Sequence, residues 1–294
     1  MANKTFSHVL LMGREGIAGV PETLEKTHQY LNQQGVKVSV ESNSSQLMSA
    51  NHQVIADHEI SADIDLIIVI GGDGSLLHAA HIAEQYALPV LGVHRGRLGF
   101  LTDIPPDAIE QIGPVIQGQY LIDKRHFFVS EFTTDNNEKQ KELALNEVVL
   151  LPSDTAHMIE FDTYANNELI YEHRADGLII STPTGSTAYA LSGGGPILHP
   201  SIDATILLPM FPHTLSSRPI VIDGSNQVRV HINDSNDSAP HISFDGRNKK
   251  RLQLNSDIII QKHQHPLTLI HPEGYSYFQT LREKLGWERR ARRT

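Results

Sequence analysis

Up to about Tyr120, short apolar runs alternate with stretches whose apolar residues recur at helical spacing. His8–Met12 predicts a strand, Pro21–Gln34 a helix with Pro in its first turn and Gly35 as its stop, and Val36–Val40 a second strand. Asp65–Ile70 is nearly unbroken apolar sequence, as expected for a strand buried on both faces. Leu76, Ala80, Ala83 and Ala87 then recur on one face of a helix, and Pro89–Val93 predicts another strand that ends in a Gly-rich turn from Gly92 to Gly99. Strand, helix, strand in this rhythm predicts a parallel sheet covered by helices.

Beyond Lys124 the pattern changes. Phe127–Phe132, Glu142–Leu150, Met158–Tyr164 and Glu168–Tyr171 read as strands separated by polar turns at Asp135–Asn137 and Ala165–Asn167. Leu178–Ser181, Pro219–Ile222, Gln227–Ile232, Ile242–Phe244, Asp257–Gln261 and Leu267–Ile270 continue the series. Tyr275–Trp287 reads as a helix or an extended arm. The expected fold class is α/β plus all-β. A Rossmann-like parallel-sheet domain spans 1–124 and a β-sandwich domain 125–271, and a segment over 272–294 returns to the first domain.

Composition narrows the functional classes. A length of 294 residues suits about two domains. No apolar run approaches the ~20 residues of a membrane span. The first residues mix Lys4, His8, Arg14 and Glu15 into the apolar ones and carry no signal-peptide core. Cysteine is absent, which removes disulfides, thiol nucleophiles and thiolate metal sites and fits a reducing cytoplasm. With 24 basic and 34 acidic residues the net charge is −10, which disfavours non-specific nucleic-acid or membrane partners. The basic tail, Arg289, Arg290, Arg292 and Arg293, reads as a solvated terminus before it reads as a binding arm.

Candidate chemistry concentrates in three places. Gly71-Gly72-Asp73-Gly74 follows the buried strand and opens a helix. Ligands of parallel sheets bind at the carboxyl ends of strands, helix amides seat phosphate, and glycines let the backbone approach it. Asp73 is out of place beside an anion unless it caps the helix, contacts a metal or does chemistry. The second place is Arg174–Tyr189, continuing through Ser192 to Pro196, dense in Ser, Thr and Gly donors for a sugar and diphosphate, with Tyr189 able to stack on a planar ring. Asn146-Glu147 interrupts an apolar run, and the pair is either hydrogen-bonded core or ligand contact. The chain has no G-x-x-x-x-G-K-[ST], no G-x-G-x-x-G and no G-x-S-x-G. Among its 17 histidines, His78 and His81 lie three apart and His263 and His265 two apart, but no H-E-x-x-H and no third ligand accompanies either pair, so they read as scattered polar residues.

Together these motifs resemble the NAD kinase family, nearest to its Gram-negative bacterial type. The likeness extends through Arg95–Thr102, Ala156–Phe161, Met210–Arg218 and Tyr275–Trp287. Gly-Gly-Asp-Gly alone is shared with lipid kinases and phosphofructokinases. The Thr182–Tyr189 run with Asn146-Glu147 upstream is the specific part. The resemblance implies an α/β domain joined to a β-rich one, with the site between them. It also implies transfer of the γ-phosphoryl of ATP to the 2′-hydroxyl of the adenosine ribose of NAD.

Further expectations follow from that likeness. Asp73 accepts the hydroxyl proton, Gly71, Gly72 and Gly74 lie against phosphate, and Gly74 also against NAD. Asn146 and Glu147 hold adenine and ribose groups. Thr187, Ala188, Tyr189, Ala190, Leu191 and Ser192 line the dinucleotide pocket. Arg174 and Asp176 meet the nicotinamide side with His157 nearby. Arg247 is carried over from the late motif Ser243–Arg247, at a position that varies among relatives. Subunits share sites, so a homo-oligomer, a tetramer, is implied. A helix terminus contributes only ~0.3–1 kcal/mol to a nearby charge, so a divalent cation, Mg²⁺, bound mainly through the ATP phosphates, is also expected. The rivals are a lipid or sugar kinase, disfavoured by the Ser/Thr/Gly-rich second stretch, and a non-catalytic dinucleotide sensor, disfavoured by Asp73.

Overall fold

The computed structural model describes residues 3–49, 51–96, 99–153 and 157–287. Arg97, Leu98, Ala156 and the basic tail from Arg289 onward lie outside the described residues.

The first stretch contains β1 (His8–Gly13), α1 (Val20–Gln33), β2 (Lys37–Glu41), α2 (Ser42–Ser45), β3 (Gln53–Ile55), β4 (Leu66–Gly71), α3 (Asp73–Tyr86), β5 (Val90–His94), α4 (Ile112–Ile116) and β6 (Tyr120–Arg125). Proline sits in the first turn of α1, and Gly35 takes φ +75° just after its end, as the sequence pattern anticipates. α1 buries Val20, Leu24 and Leu31 in one cluster with Val9 and Leu11 of β1 and Val38 and Val40 of β2. β4 is buried along its whole length, which explains its lack of polar alternation.

The chain then forms β7 (Phe128–Thr133), β8 (Lys139–Ala144), β9 (Glu147–Leu151), β10 (Ile159–Ala165), β11 (Glu168–Ala175), β12 (Gly177–Ser181), α5 (Tyr189–Ser192), β13 (Ala204–Met210), β14 (Ile220–Asp223), β15 (Val228–Ile232), β16 (His241–Phe244), β17 (Arg247–Arg251) and β18 (Ser256–Lys262). It closes with β19 (Leu267–Pro272) and α6 (Tyr277–Leu285).

Three sheets result. The first has the order β3-β2-β1-β4-β5-β19-β6 and is parallel from β3 through β19. The other two are antiparallel, with orders β11-β10-β15-β18-β7-β8 and β14-β13-β12-β9-β16-β17. Their facing sides share one core that includes Phe128, Phe132, Phe161, Val148, Leu178, Ile180 and Ile258. Alternate residues of the last sheet (Val149, Ile179, Ile206, Leu208) form a second cluster on its other side with Ala190. The inner strands β9, β12 and β13 of that sheet are therefore buried on both faces, and the second face seats the Thr182–Pro196 segment.

The chain divides into two compact units, 1–124 with 267–294, and 125–266. This corrects the expectation that Leu267–Ile270 belongs to the β-rich region, with a boundary at 271. The strand pairs in parallel with β5, placing Leu269 opposite Val90 and Ile270 opposite Leu91. A second correction concerns Glu142–Leu150, expected as one strand. It is two, β8 and β9, in different sheets, and the break falls at Leu145-Asn146. Ala204–Met210, where the sequence pattern predicted no strand, is fully buried as β13.

Candidate active site

In the first unit, β4 ends at Gly71, whose φ of +156° and contact with Ser75 both demand glycine; a side chain there would strike the Ser75 hydroxyl. The N-cap of α3 is Gly72, with no side chain capping it, and Asp73 is the first residue of the helix. The capping reading of Asp73 therefore fails. Its carboxylate accepts instead from the backbone amides of Phe100, at 3.0 Å, and Leu101, at 3.1 Å. The first turn of a helix also favours a negative charge.

Glycine is required at 99 as well, since a Cβ there would collide with the Asp73 carboxylate. The segment behind these amides is pinned to β5: Asp103 and Ile104 each donate their amide to the Gly92 carbonyl at 3.2 Å, and His94 donates to Ile104 at 2.9 Å. Two cations border the loop. Arg14 lies 3.5 Å from where a Cβ of Gly74 would stand. Arg95 donates its amide to the Gly71 carbonyl at 2.9 Å and its Nε to Thr23 at 2.5 Å.

In the second unit, the turn between β8 and β9 is organised by Asp245. Its buried carboxylate accepts from the amides of Leu145 (2.9 Å), Asn146 (2.7 Å) and Glu147 (3.1 Å). Thr182 closes the other side: its amide donates to the Asn146 carbonyl at 2.9 Å and its hydroxyl to the Leu145 carbonyl at 2.6 Å. Gly185 packs so tightly on the Asn146 carbonyl that no side chain fits there. Asn146 and Glu147 are both buried. Burial, reinforced by the charge of Asp245, pushes the Glu147 carboxyl up to about 8, although the Tyr189 amide donates to it and opposes the shift. Its Oε2 is buried with no hydrogen-bond partner among the described residues.

The structure thus brings Asn146, Glu147, Tyr189 and Asp245 into one neighbourhood. Gly193 and Gly195 lie flat on Leu208, which holds the segment after Tyr189 close to the sheet. Thr187 donates its hydroxyl to the Thr184 carbonyl at 3.2 Å, and Ala188 donates its amide to Gly185 at 2.8 Å. The Tyr189 ring is 46% exposed, and Ser192 is exposed too. Leu191 is half-buried and Ala190 fully buried, so the Ala190 side chain serves the core.

Arg174 is exposed, with its Nε 3.8 Å from Glu160. Asp176 is exposed while its amide donates to Met210 at 2.9 Å. His157 is exposed beside Asp237 at 3.9 Å. Arg247 is half-buried at the start of β17, where its carbonyl accepts from Ser243 at 3.1 Å. Sequence reasoning missed the Phe100 and Leu101 amides, Arg14 and Asp245. For Asp245 a signal existed, an Asp-Gly turn inside the same motif that drew attention to Arg247. Among the described residues no group of three or more His, Asp or Glu is arranged to hold a metal ion.

Residues 9–120 match the ATP-NAD kinase N-terminal domain, and residues 145–272 the ATP-NAD kinase C-terminal domain. The chain is 48% identical to an NAD kinase of Coxiella burnetii over 99% of its length and 98% of that protein's. It is 44% identical to an NAD kinase of Chromohalobacter salexigens over 97% of its length and 98% of that protein's. Among solved structures, yeast NADH kinase complexed with NADH matches with a TM-score of 0.89 at 22% identity, over 99% of this chain and 90% of that one. An Archaeoglobus fulgidus NAD kinase in complex with ATP matches with a TM-score of 0.72 at 22% identity, over 94% and 99%. At that identity the two structures speak for the fold alone. The sequence relatives, matched nearly end to end, speak for more, and the chain belongs to the NAD kinase family.

Proposed function

We propose that Asp73 takes the proton in the reaction of this family, the transfer of the γ-phosphoryl of ATP to the 2′-hydroxyl of the adenosine ribose of NAD, giving NADP and ADP. The observation that carries the reading is the state of the Asp73 carboxylate. It stands at the first residue of α3, behind a glycine loop suited to phosphate, yet it caps nothing and is held by two amides from a different segment. Each oxygen accepts one of these bonds and keeps a second lone pair for a proton. Phosphoryl transfer depends on positioning and charge neutralisation more than on covalent chemistry, and a positioned base contributes ~10²–10⁴ in rate.

The remaining assignments are part of the same proposal. Gly71, Gly72 and Gly74 lie against phosphate, and Gly74 also meets NAD. Asn146 and Glu147 hold the adenosine, and Thr187, Ala188, Tyr189, Ala190, Leu191 and Ser192 form the wall of the dinucleotide pocket, Ala190 through its backbone. Arg174 and Asp176 serve the nicotinamide side, with His157 nearby and Arg247 at the margin. A divalent cation, Mg²⁺, rides on the ATP phosphates. The chain's part toward it is to hold those phosphates with backbone amides. The protein works in the cytoplasm as a homotetramer.

An assay of NADP formation tests the reading. The wild type is expected to form NADP from NAD and ATP, and to stop when EDTA removes the cation. Asp73→Asn is expected to bind NAD within a few-fold of wild type by calorimetry while turnover falls at least ~100-fold. Near-normal turnover in that variant would remove Asp73 as the base.

A further inference from the structure

Thr102 follows the two residues whose amides hold Asp73. It is fully buried, and among the described residues its Oγ1 has no hydrogen-bond partner. Leaving a buried hydroxyl unsatisfied costs about 1–3 kcal/mol, so its presence needs a reason.

Two glycines fix how the side chain lies. A Cβ on Gly92 would stand 2.8 Å from both the Cα and the Cγ2 of Thr102, so the methyl is turned toward β5. A Cβ on Gly99 would stand 2.7 Å from Thr102 Oγ1 and would at the same time strike Asp73 Oδ1. The hydroxyl and the carboxylate oxygen therefore border the same point, the one that a side chain at 99 would fill.

The chemistry of Asp73 gives this neighbour a use. Its two amide partners can only donate. They favour the carboxylate and offer nothing to the O–H of the protonated acid. A hydroxyl can do both: it donates to the carboxylate and, after a turn about its Cβ–Oγ bond, accepts from the acid.

We propose that Thr102 is a positioning residue for Asp73. Its hydroxyl, unpartnered among the described residues, turns to donate to Oδ1 of the ionised Asp73 once substrate is bound, and accepts when Asp73 holds the substrate proton. In the step it serves, the ribose oxygen bonds to the γ-phosphorus and its proton passes to Asp73. The bond from phosphorus to the β,γ-bridging oxygen breaks, and ADP leaves with that electron pair. The proposal rests on the reading of Asp73 as proton acceptor.

Thr102→Val and Thr102→Ser in the full chain test it, by melting temperature, steady-state kinetics and the pH dependence of kcat. Thr102→Val removes an unpartnered buried hydroxyl and keeps the shape. It is expected to melt at or above the wild-type temperature, lose at least about tenfold in turnover and keep its NAD KM within twofold. The acid limb of its kcat profile is expected at higher pH, because in the substrate complex the carboxylate lacks the hydroxyl donor. Thr102→Ser keeps the hydroxyl and is expected to melt lower but turn over near the wild-type rate.

Wild-type turnover and an unshifted acid limb in Thr102→Val would overturn the proposal, as would equal losses in the Val and Ser variants. If the Val variant fails to fold, Thr102→Ser decides alone: normal turnover at a lowered melting temperature supports the role, and lost turnover overturns it. A wild type that forms no NADP from ATP and NAD would overturn the parent reading instead.

Discussion

Glu147 is the residue at which burial outweighs every stabilising contact. It sits in the apolar run that leads into β9, and its buried position leaves Oε2 with no hydrogen bond among the described residues. Desolvation and the adjacent Asp245 together lift its carboxyl to about 8, so near neutral pH it is largely protonated. The folded chain therefore binds this proton more tightly than the unfolded chain. The resulting stability is fully present below the ordinary glutamate range and is lost as pH rises toward 8. Glu147→Gln carries no such proton. Urea unfolding of the ligand-free protein at pH 5, 6.5 and 8 is expected to show the wild type losing on the order of 2–4 kcal/mol relative to this variant across the range. Parallel pH dependences of the two proteins would contradict the assigned protonation.

At the scale of elements, the polar pair Asn146-Glu147 is the seam where one apolar run passes between two sheets. β8 pairs with β7, and β9 with β12 and β16. A crossing between sheets leaves amides without ladder partners, and here Asp245, in a left-handed turn with φ 50° after β16, receives three of them. Asp245→Ala strips the acceptor and puts alanine in a conformation it resists. It is expected to cost about 2–4 kcal/mol by urea denaturation. Asp245→Asn tolerates the turn and keeps one acceptor oxygen, so its loss is expected to be smaller. An Ala variant as stable as wild type would mean that the seam is held elsewhere. The Asn-Glu interruption was visible in the sequence, but its acceptor lay about a hundred residues away, beyond anything local pattern reports.

At the scale of the molecule, the first unit is assembled from both ends of the chain. β19 lies between β5 and β6 in the parallel sheet, and its Leu267, Leu269, Ile270 and His271 are all buried. His271 bonds to Asp103 through Nδ1, has Asp123 3.5 Å from Nε2, and stacks on Tyr275 with ring centroids 3.8 Å apart. Ending the chain after Pro266 removes an inner strand and leaves β6 without its neighbour. Such a chain is expected to form no NADP. Limited proteolysis is expected to degrade residues 1–124 while a fragment near 125–266 persists. Protection of both regions would mean that the first sheet closes without its last strand.

The sequence alone determined what depends on neighbours in the chain. Period and turn residues placed the strand–glycine loop–helix unit at Gly71–Gly74, the parallel character of the first region, the β-rich character of the second, and the motifs that carry the NAD kinase likeness. Tertiary structure decided what depends on partners distant in sequence. A four-residue apolar run such as Leu267–Ile270 suits any buried strand, so only the lateral pairing with β5 assigns it to a sheet. Asp73 could equally have capped its helix until the Phe100 and Leu101 amides claimed the carboxylate. Burial and the charge of Asp245, both consequences of packing, set the protonation of Glu147. Local periodicity encodes which face a residue presents, and long-range contacts alone choose what that face meets.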